Sequence, residues 1–254
     1  MAHMSTITIS LAGIPIGVTV HHLEKEGFFQ DYICSDSPLF SVTVTPPDIE
    51  YERVQSSKRL MADGLPPNIF SEKPLEALSV LRKVANRIFD YDVILFHSSI
   101  LAVDGRAYLF AAPSGTGKTT HSRLWLQLLP QAHILNGDKP FLKVEADGRV
   151  MACGTPWRGK ERYGVNEILP LEAICLLERD TVNHIQPVTF SEALDALIYQ
   201  THLPDDPLAR VKVLQLIGRI GQSVRLYRLG CNTDIEAARV SSRAMLAGCT
   251  ENKP

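Results

Sequence analysis

The chain has 254 residues, 45% of them hydrophobic and 21% charged, which is enough to bury a full core in one large domain or two small ones. A formal net charge of −2 with no basic block argues against a nucleic-acid partner, and no apolar run reaches the length of a membrane span. Five scattered cysteines without a C-x-x-C pair are typical of reduced thiols, and the chain opens with no secretory signal, so we expect a cytoplasmic protein.

Residues 4–90 are predicted to form a β-rich N-terminal region that ends in a helix. Residues 1–3, ahead of Met4, have the character of an expression scar and take no part in this prediction. Polar and apolar residues alternate over 6–11 and 40–44, as they do in half-buried strands. Glycine and proline interrupt the first seventy residues repeatedly, so we expect these strands to be short and antiparallel.

The helix that closes this region is predicted from its cap and its apolar stripe. Ser71 can cap it through the hydroxyl, and the helix runs to about Phe89. Leu75, Leu81 and Ile88 fall on one face at helical spacing. This pattern predicts a helix that packs its apolar face on a sheet.

Residues 91–250 are predicted to form a second region of the α/β class. Apolar runs over 93–96 and 100–103 predict two strands. The Asp-Gly pair at 104–105 is typical of a two-residue hairpin turn and connects the second strand to a third at 108–110. The chain therefore enters its most informative segment from an antiparallel pair of strands.

Residues 112–119, with the sequence APSGTGKT, match the phosphate-loop pattern G-x-x-x-x-G-K-[ST] except at Ala112. Such a loop turns successive backbone N–H groups toward a triphosphate, and the helix after it adds its positive end. We expect Lys118 to reach the outer phosphates and the Thr119 hydroxyl to be a ligand of Mg²⁺. A glycine-rich strand-to-helix turn without a nucleotide is the alternative. The predicted nucleotide-binding residues are Ser114, Gly115, Thr116, Gly117, Lys118, Thr119 and Thr120.

The remaining segments alternate between strands and helices. Strands are predicted at 133–135, 173–177 and 224–227, a second hairpin turn at 147–148, and helices at the capping-box pairs Thr189/Glu192 and Thr233/Glu236. The segment 154–166 is polar, rich in glycine, arginine and lysine, and lacks any period. We interpret it as a functional loop.

Residues 96–105 and 114–119 together resemble the core of HPr kinase/phosphorylase, in which a histidine opens a strand, a hairpin turns at a glycine and the phosphate loop follows. The loop is also similar to that of ATP-dependent phosphoenolpyruvate carboxykinase, a relative of that kinase. Residues 154–157, followed by Gly159 and Lys160, resemble a motif of small HPr-kinase-like proteins found beside peptide-modification systems. Those proteins include kinases that phosphorylate lasso-peptide precursors.

The resemblance spans residues 92–245 by the order of its motifs. It implies a mixed sheet with antiparallel hairpins around a phosphate loop, as in the C-terminal domain of HPr kinase. It also implies ATP and Mg²⁺ as cofactors. HPr kinases are oligomeric, so a homo-oligomer is compatible with the resemblance, although these residues identify no interface.

Asp138 is the candidate for the group that orients and deprotonates an acceptor hydroxyl, and it is also a candidate metal ligand. It closes the strand that follows the loop helix, where such folds place a carboxylate beside the metal. Positive charge from Lys118 and Mg²⁺ would keep it ionised. The alternative is that 137–140 is merely a turn, since glycine, aspartate and proline all favour turns.

The chain departs from the resembled families at this strand end. They carry two adjacent aspartates, whereas this chain has Asn136, Gly137, Asp138 and Lys139. If Lys139 replaces the basic residue that follows the pair, Asp138 is the second aspartate and Gly137 replaces the first; a slip of one residue would make Asp138 the first. We favour the former interpretation, in which water, Asn136 or Glu161 supplies what the missing carboxylate would have given.

His97 and Lys160 complete the set of candidate catalytic residues. By resemblance, His97 lies near the reacting phosphate and either donates to a phosphate oxygen or holds the base; a histidine satisfied at a strand end is the alternative. Lys160 or Arg158 would compensate charge in the transition state, and Trp157 would exclude water. The alternative is a set of solvated charges around a structural tryptophan.

These observations predict an ATP- and Mg²⁺-dependent kinase that transfers the γ-phosphoryl group to a hydroxyl, foremost that of Ser or Thr in a peptide or protein. A free small-molecule alcohol, such as an amino acid or a sugar, is the competing acceptor. A catalytically silent nucleotide-binding module is the alternative from another class, because carboxylates are missing. A carboxykinase ranks low, since the chain is much shorter than that family.

Overall fold

A computed structural model describes residues 4–23, 27–62, 64, 66 and 70–247, so the expected expression scar at 1–3 lies outside the described residues. The chain divides into two compact units, Met1–Ile88 and Phe89–Pro254. Within the described ranges no helix has both the length and the apolar character that a membrane crossing needs. The four cysteines in these ranges are free thiols, and two of them, Cys153 and Cys175, are buried.

The first unit combines a small sheet with two long helices. Its elements are β1 (Ser5–Leu11), β2 (Ile14–Val20), β3 (Phe40–Thr43), α1 (Pro46–Ala62) and α2 (Glu72–Ile88). Strands β1 and β2 pair antiparallel, but β2 and β3 pair parallel, so the prediction of antiparallel strands throughout is wrong for β3. Helix α2 buries Leu75, Leu81 and Ile88, as its stripe predicts, while its start at Glu72 fits a cap at Ser71.

The prediction of a β-rich region through residue 70 is wrong from Pro46 onward, because α1 occupies 46–62. Two prolines at 46 and 47 begin that helix, where a missing N–H costs nothing because the first turn has no intrahelical partner for it. The backbone N–H and the hydroxyl of Thr45 both donate to the Asp48 carboxylate, at 2.9 and 2.6 Å. The prolines therefore mark a helix start and not a strand break.

The second unit is built on a mixed sheet of nine strands. In chain order its strands are β4 (Val93–Leu95), β5 (Ser99–Val103), β6 (Arg106–Ala111), β7 (His133–Asn136), β8 (Phe141–Val144), β9 (Val150–Cys153), β10 (Ile168–Arg179), β11 (His184–Pro187) and β12 (Arg225–Cys231). The main path of the sheet is β4-β8-β9-β10-β6-β5-β7, and β12 pairs with both β10 and β11. Strands β6 and β12 run parallel to β10, and the other pairings are antiparallel.

Helices cover both faces of this sheet. They are α3 (Lys118–Leu128), α4 (Phe190–Gln200), α5 (Pro207–Ser223) and α6 (Ile235–Ala247). Alternate residues of β5 point to opposite faces: Ile100 joins the apolar cluster beneath α4 and α5, and Leu101 joins the cluster that contains Trp125 of α3 and Met245 of α6. Burial on both faces explains why β5 and β6 are nearly continuous apolar runs. The protein thus has the predicted mixed α/β class.

Two helix starts test the capping signals. The Thr189 hydroxyl accepts from the Glu192 N–H while the Glu192 carboxylate accepts from the Thr189 N–H, which confirms the capping box that opens α4. The second predicted box, which starts at Thr233, is wrong because α6 begins at Ile235, one residue too late for Thr233 to be its N-cap.

Candidate functional site

The glycine-containing segment 112–117 leads from the end of β6 into the first residue of α3. Gly115 and Gly117 have φ angles of 77° and 128°, which residues with side chains rarely adopt. Gly117 is the N-cap of α3 and has no side chain to satisfy the first N–H groups of the helix. The N-terminal end of α3 therefore offers backbone N–H donors and the positive end of the helix dipole to an anion.

Lys118 points back across this segment. Its Nζ donates to the carbonyl oxygen of Ala112 at 2.7 Å. Burial lowers the pKa of Lys118, the charge of Asp138 raises it and that of Lys139 lowers it further, with a net pKa below the usual lysine range. An anion beside this ammonium would offset part of that burial penalty.

A cavity of about 480 Å³ opens beside Lys118. It is lined by His97, Ser99, Ser114, Gly115, Gly117, Lys118, Thr119, Thr120, Ser122, Ile134, Gly137, Asp138, Arg158, Gly159, Lys160, Glu161 and Tyr163. The cavity thus brings together all four predicted catalytic residues and all of the predicted binding residues except Thr116. Its volume lies in the range of small-molecule sites.

Asp138 lies in this cavity between two basic side chains. Its Oδ1 is 3.2 Å from Nε2 of His97, and its Oδ2 is 3.7 Å from Nζ of Lys139. Burial would raise the pKa of the Asp138 carboxyl, but the hydrogen bond from His97 and the charges of Lys139 and Lys118 outweigh it and lower the pKa. Asp138 is therefore an ionised acceptor at neutral pH. His97 is located two residues before β5 and not within the strand.

Asn136 holds the turn that carries Asp138. Its side chain is fully buried, and Oδ1 accepts the backbone N–H of Asp138 and of Lys139, both at 2.9 Å. Its Nδ2 donates to the carbonyl and the hydroxyl oxygen of Thr155, each at 3.1 Å. The Thr155 hydroxyl in turn donates to the carbonyl of Lys139 at 2.7 Å. Asn136 is thus committed to the turn, which removes it from the candidates that replace the missing carboxylate.

The segment 158–165 lies directly against this turn. The N–H of Gly137 donates to the Tyr163 carbonyl at 3.1 Å, and the N–H of Val165 donates to the Leu135 carbonyl at 3.0 Å. A Cβ atom at Gly137 would lie 3.1 Å from the carbonyl oxygen of Arg158 and 3.3 Å from that of Tyr163. A side chain at position 137, such as that of a first aspartate, would therefore require this main chain to shift.

The same segment brings backbone close to the carboxylate. A Cβ atom at Gly159, where φ is 75°, would lie 3.0 Å from the Cβ of Asp138. Glu161 is exposed and pairs with Arg123 of α3 at 3.1 Å. Trp157 is 5% exposed and is absent from the cavity lining, so the prediction that its ring shields the cavity is wrong. The ring belongs to the interior together with the other buried residues of 154–157.

Sequence reasoning missed three polar residues beside the cavity. Ser99 and Ser122 are buried in its lining, and their hydroxyl oxygens are 2.8 Å apart. Arg179, the last residue of β10, donates to the carbonyls of Gly115 and Thr116 at 2.5 and 3.4 Å. Ser122 could have been found from its position four residues after Lys118 on one helix face. No local signal connects Arg179 to a segment more than sixty residues earlier.

The residues present suit a metal that arrives with a nucleotide. Within the described ranges no group of three or more His, Cys, Asp or Glu side chains is arranged to hold a metal ion. Thr119 and Asp138 nevertheless line the same cavity. Mg²⁺ in phosphate-transfer sites is commonly held by one or two carboxylates, substrate phosphates and waters, so one hydroxyl and one carboxylate fit that donor set.

No protein-family model matches the chain, and no curated protein matches it. Among solved structures, the chain is distantly similar to the HPr(Ser) kinase/phosphatase from Coxiella burnetii. That similarity has a TM-score of 0.35 and a sequence identity of 9%, and it covers 61% of this chain and 97% of the other.

Proposed function

We propose that this protein is an ATP- and Mg²⁺-dependent kinase that transfers the γ-phosphoryl group to a hydroxyl of a peptide or protein. The observation that carries the proposal is the placement of Lys118 and an ionised Asp138 on one cavity, beneath the N-terminus of α3. Lys118 and the helix N-terminus suit a phosphoryl donor, and Asp138 suits an incoming hydroxyl. The small HPr-kinase-like proteins that residues 154–160 resemble include kinases of peptide precursors, which adds support.

The glycine-containing segment and Lys118 would hold the triphosphate. Backbone N–H groups at the start of α3 and the Lys118 ammonium would bind its oxygens, with Ser114, Thr119 and Thr120 nearby in the cavity lining. On binding, the ammonium would exchange the Ala112 carbonyl for phosphate oxygens. Mg²⁺, held with the nucleotide by Thr119 and Asp138, would neutralise charge on the triphosphate.

Asp138 would orient the acceptor and take its proton. The acceptor oxygen forms a bond to the γ-phosphorus as the bond from that phosphorus to the β,γ-bridging oxygen breaks, so ADP leaves and the hydroxyl proton passes to the Asp138 carboxylate. A low pKa suits this role, because a loose phosphoryl-transfer transition state needs a positioned acceptor more than a strong base. His97, at 3.2 Å, would hold the carboxylate in place.

Lys160 would offset charge that develops during transfer. It is exposed in the segment that contacts the Asp138 turn, and it lines the cavity. Arg158 lines the cavity as well. Cations on this side of the cavity would stabilise the negative charge that develops on the equatorial oxygens of the migrating group.

A peptide or protein is the proposed acceptor because residues 154–157, with Gly159 and Lys160, resemble the motif of peptide-modifying relatives. A free small-molecule alcohol would use the same donor machinery. We further propose that the protein works in the cytoplasm, where ATP and reduced thiols occur together. A homo-oligomer is compatible with these proposals.

The test is transfer from γ-labelled ATP to a panel of hydroxyl-bearing peptides and hydroxylated metabolites. Asp138→Asn is expected to lower kcat by about 100-fold or more, since the proton acceptor is lost, while the affinity for ATP without Mg²⁺ changes by less than about 3-fold, since the phosphate contacts remain. Lys118→Ala is expected to weaken ATP binding by at least about 10-fold. An Asp138→Asn variant as active as the parent would overturn the assignment of the base.

A silent nucleotide-binding module is the second candidate. It is favoured because Glu161, the carboxylate that lines the cavity besides Asp138, pairs with Arg123. Calorimetry distinguishes the two. Tight ATP binding without transfer to any acceptor would support the module. If neither the parent protein nor Lys118→Ala bound ATP, both the kinase and the nucleotide-binding module would be rejected.

A further inference from the structure

Arg179 contacts the glycine-containing segment from outside the cavity. It is the last residue of β10, which runs parallel to β6, and Leu176 of β10 pairs with Ala111 at the end of β6. Three residues further along, Arg179 therefore reaches the level of the segment that follows β6. Its Nη2 donates to the carbonyl of Gly115 at 2.5 Å and its Nε to that of Thr116 at 3.4 Å.

The acidic residues on either side of Arg179 have other partners. Glu178 pairs with Arg228 on β12. The Asp180 carboxylate accepts the N–H of Val182 at 3.2 Å. The guanidinium of Arg179 is thus directed to two successive carbonyls, a task for which its planar set of donors is suited.

Holding a carbonyl also directs the next N–H group. In a trans peptide the C=O and the following N–H point in opposite directions across one plane. When Arg179 holds the carbonyls of Gly115 and Thr116, the N–H groups of Thr116 and Gly117 must point away from the guanidinium. The Thr116 N–H donates to the Pro113 carbonyl at 3.3 Å, which leaves the Gly117 N–H directed away from Arg179. Gly115 and Gly117 line the cavity and Arg179 does not, so the guanidinium lies behind the segment and not in the phosphate site.

We propose that Arg179 is a positioning residue that holds segment 113–117 in the conformation in which its N–H groups can bind the phosphates of a nucleotide. This proposal rests on the proposed nucleotide binding. Arg179 acts through the backbone of the segment and makes no contact with the phosphates. Its removal therefore affects the affinity for nucleotide and leaves the chemistry at Asp138 intact.

The experiment compares Arg179→Gln and Arg179→Lys by calorimetry with ATP and by steady-state kinetics. Both variants are expected to bind ATP about 10-fold more weakly, because neither side chain spans the two carbonyls with a charged fork. The value of kcat at saturating ATP should stay within about 3-fold of the parent, and the salt dependence of ATP binding should be unchanged. Arg149→Gln, an exposed arginine in the turn after β8, is the matched control.

The outcomes separate this proposal from the function on which it rests. Tight binding by Arg179→Lys together with weak binding by Arg179→Gln would show that only the charge matters and would overturn positioning. Parent-like ATP affinity in both variants would overturn the proposal and leave the kinase assignment intact. Backbone ¹⁵N relaxation of residues 115–117 without nucleotide should show greater mobility in both variants, and unchanged relaxation would contradict the proposal even if the parent bound no ATP.

Discussion

At the scale of single residues, the candidate site depends on the side-chain amide of Asn136, which does not itself line the cavity. Asn136 is fully buried at the end of β7, and its four hydrogen bonds join the Asp138 turn to Thr155. A buried network of this kind is stabilising only when every member is satisfied. The turn is therefore held by hydrogen bonds to Asn136 and Thr155, and residues 158–165 pack against it at Gly137.

Asn136→Ala should lower both stability and turnover. Two partly buried N–H groups would lose their acceptor and the buried Thr155 would lose its donor, which we expect to cost about 2–4 kcal/mol in the free energy of unfolding. The carboxylate of Asp138 would no longer be held in one place, so kcat should fall by about 10-fold or more while ATP affinity changes little. Urea unfolding, transfer assays and calorimetry measure the three quantities.

The conservative variant Asn136→Asp keeps an oxygen that can accept both N–H groups but loses the donation to Thr155. We expect it to recover part of kcat relative to the alanine variant. If the alanine variant were destabilised with kcat unchanged, Asn136 would have a structural role alone.

At the scale of elements, the first helix shows how a capping carboxylate connects two helices. Asp48 of α1 accepts from Thr45 and also pairs with Arg82 and Lys83 of α2, at 3.2 and 3.0 Å. Burial would raise the pKa of Asp48, but hydrogen bonds from Thr45 and Lys83 and the charge of Lys83 outweigh it and lower the pKa to about 2. The folded state therefore favours the ionised carboxylate.

This lowered pKa predicts a stability difference that depends on pH. Because the folded pKa is below the unfolded value, ionised Asp48 stabilises the folded state above about pH 4, and the contribution is lost as the pH falls toward 2. Asp48→Asn should lower the free energy of unfolding by about 1–2 kcal/mol at neutral pH, after allowance for solvent screening.

The difference between the parent and Asp48→Asn should shrink as the pH falls from about 4 to 2, as measured by urea unfolding at several pH values. Asp36→Asn, which changes an exposed aspartate of the same unit, is the control and should show no such trend. A gap between Asp48→Asn and the parent that stayed constant across this range would argue against ionisation as its cause.

At the scale of the whole molecule, the chain comprises two compact units, Met1–Ile88 and Phe89–Pro254. The residues of the proposed site lie between His97 and Tyr163, with Arg179 behind them, and so belong to the second unit. The first unit is organised around Glu76 of α2, which is fully buried. Its carboxylate accepts the N–H groups of His21, His22 and Leu23 at 2.6, 2.8 and 2.7 Å.

Glu76→Ala should destabilise the first unit by about 3 kcal/mol or more, because three N–H groups would lose their acceptor. Both tryptophans, Trp125 and Trp157, lie in the second unit. We therefore expect far-UV circular dichroism to show an early transition in urea while tryptophan fluorescence and ATP affinity stay near those of the parent. Glu50→Ala, which removes an exposed carboxylate of the same unit, serves as the control. Parallel shifts of both signals would show instead that the units unfold together.

Several elements of the second unit could be predicted because their signals are local. Apolar runs located β4, β5 and β7, and a threonine and a glutamate three residues apart located the start of α4. Local signals misled where one residue type serves two structures. Pro46 and Pro47 are compatible both with a break between strands and with the first turn of a helix. In the structure they begin α1, which packs against α2.

The candidate chemistry could be predicted from residue types and short spacings: the glycine-containing segment followed by Lys118 and Thr119, and a carboxylate at Asp138 with His97 as a candidate neighbour. These features depend on residue type and short spacing, so they can be identified in the sequence without a structure. The surroundings of the carboxylate, in contrast, depend on how distant parts of the chain pack. Asn136 donates to Thr155, the carbonyls of Arg158 and Tyr163 lie close to Gly137, and Arg179 reaches the segment from a parallel strand. Such contacts join residues far apart in the chain, and their geometry follows from strand order and close packing, on which local sequence carries no information.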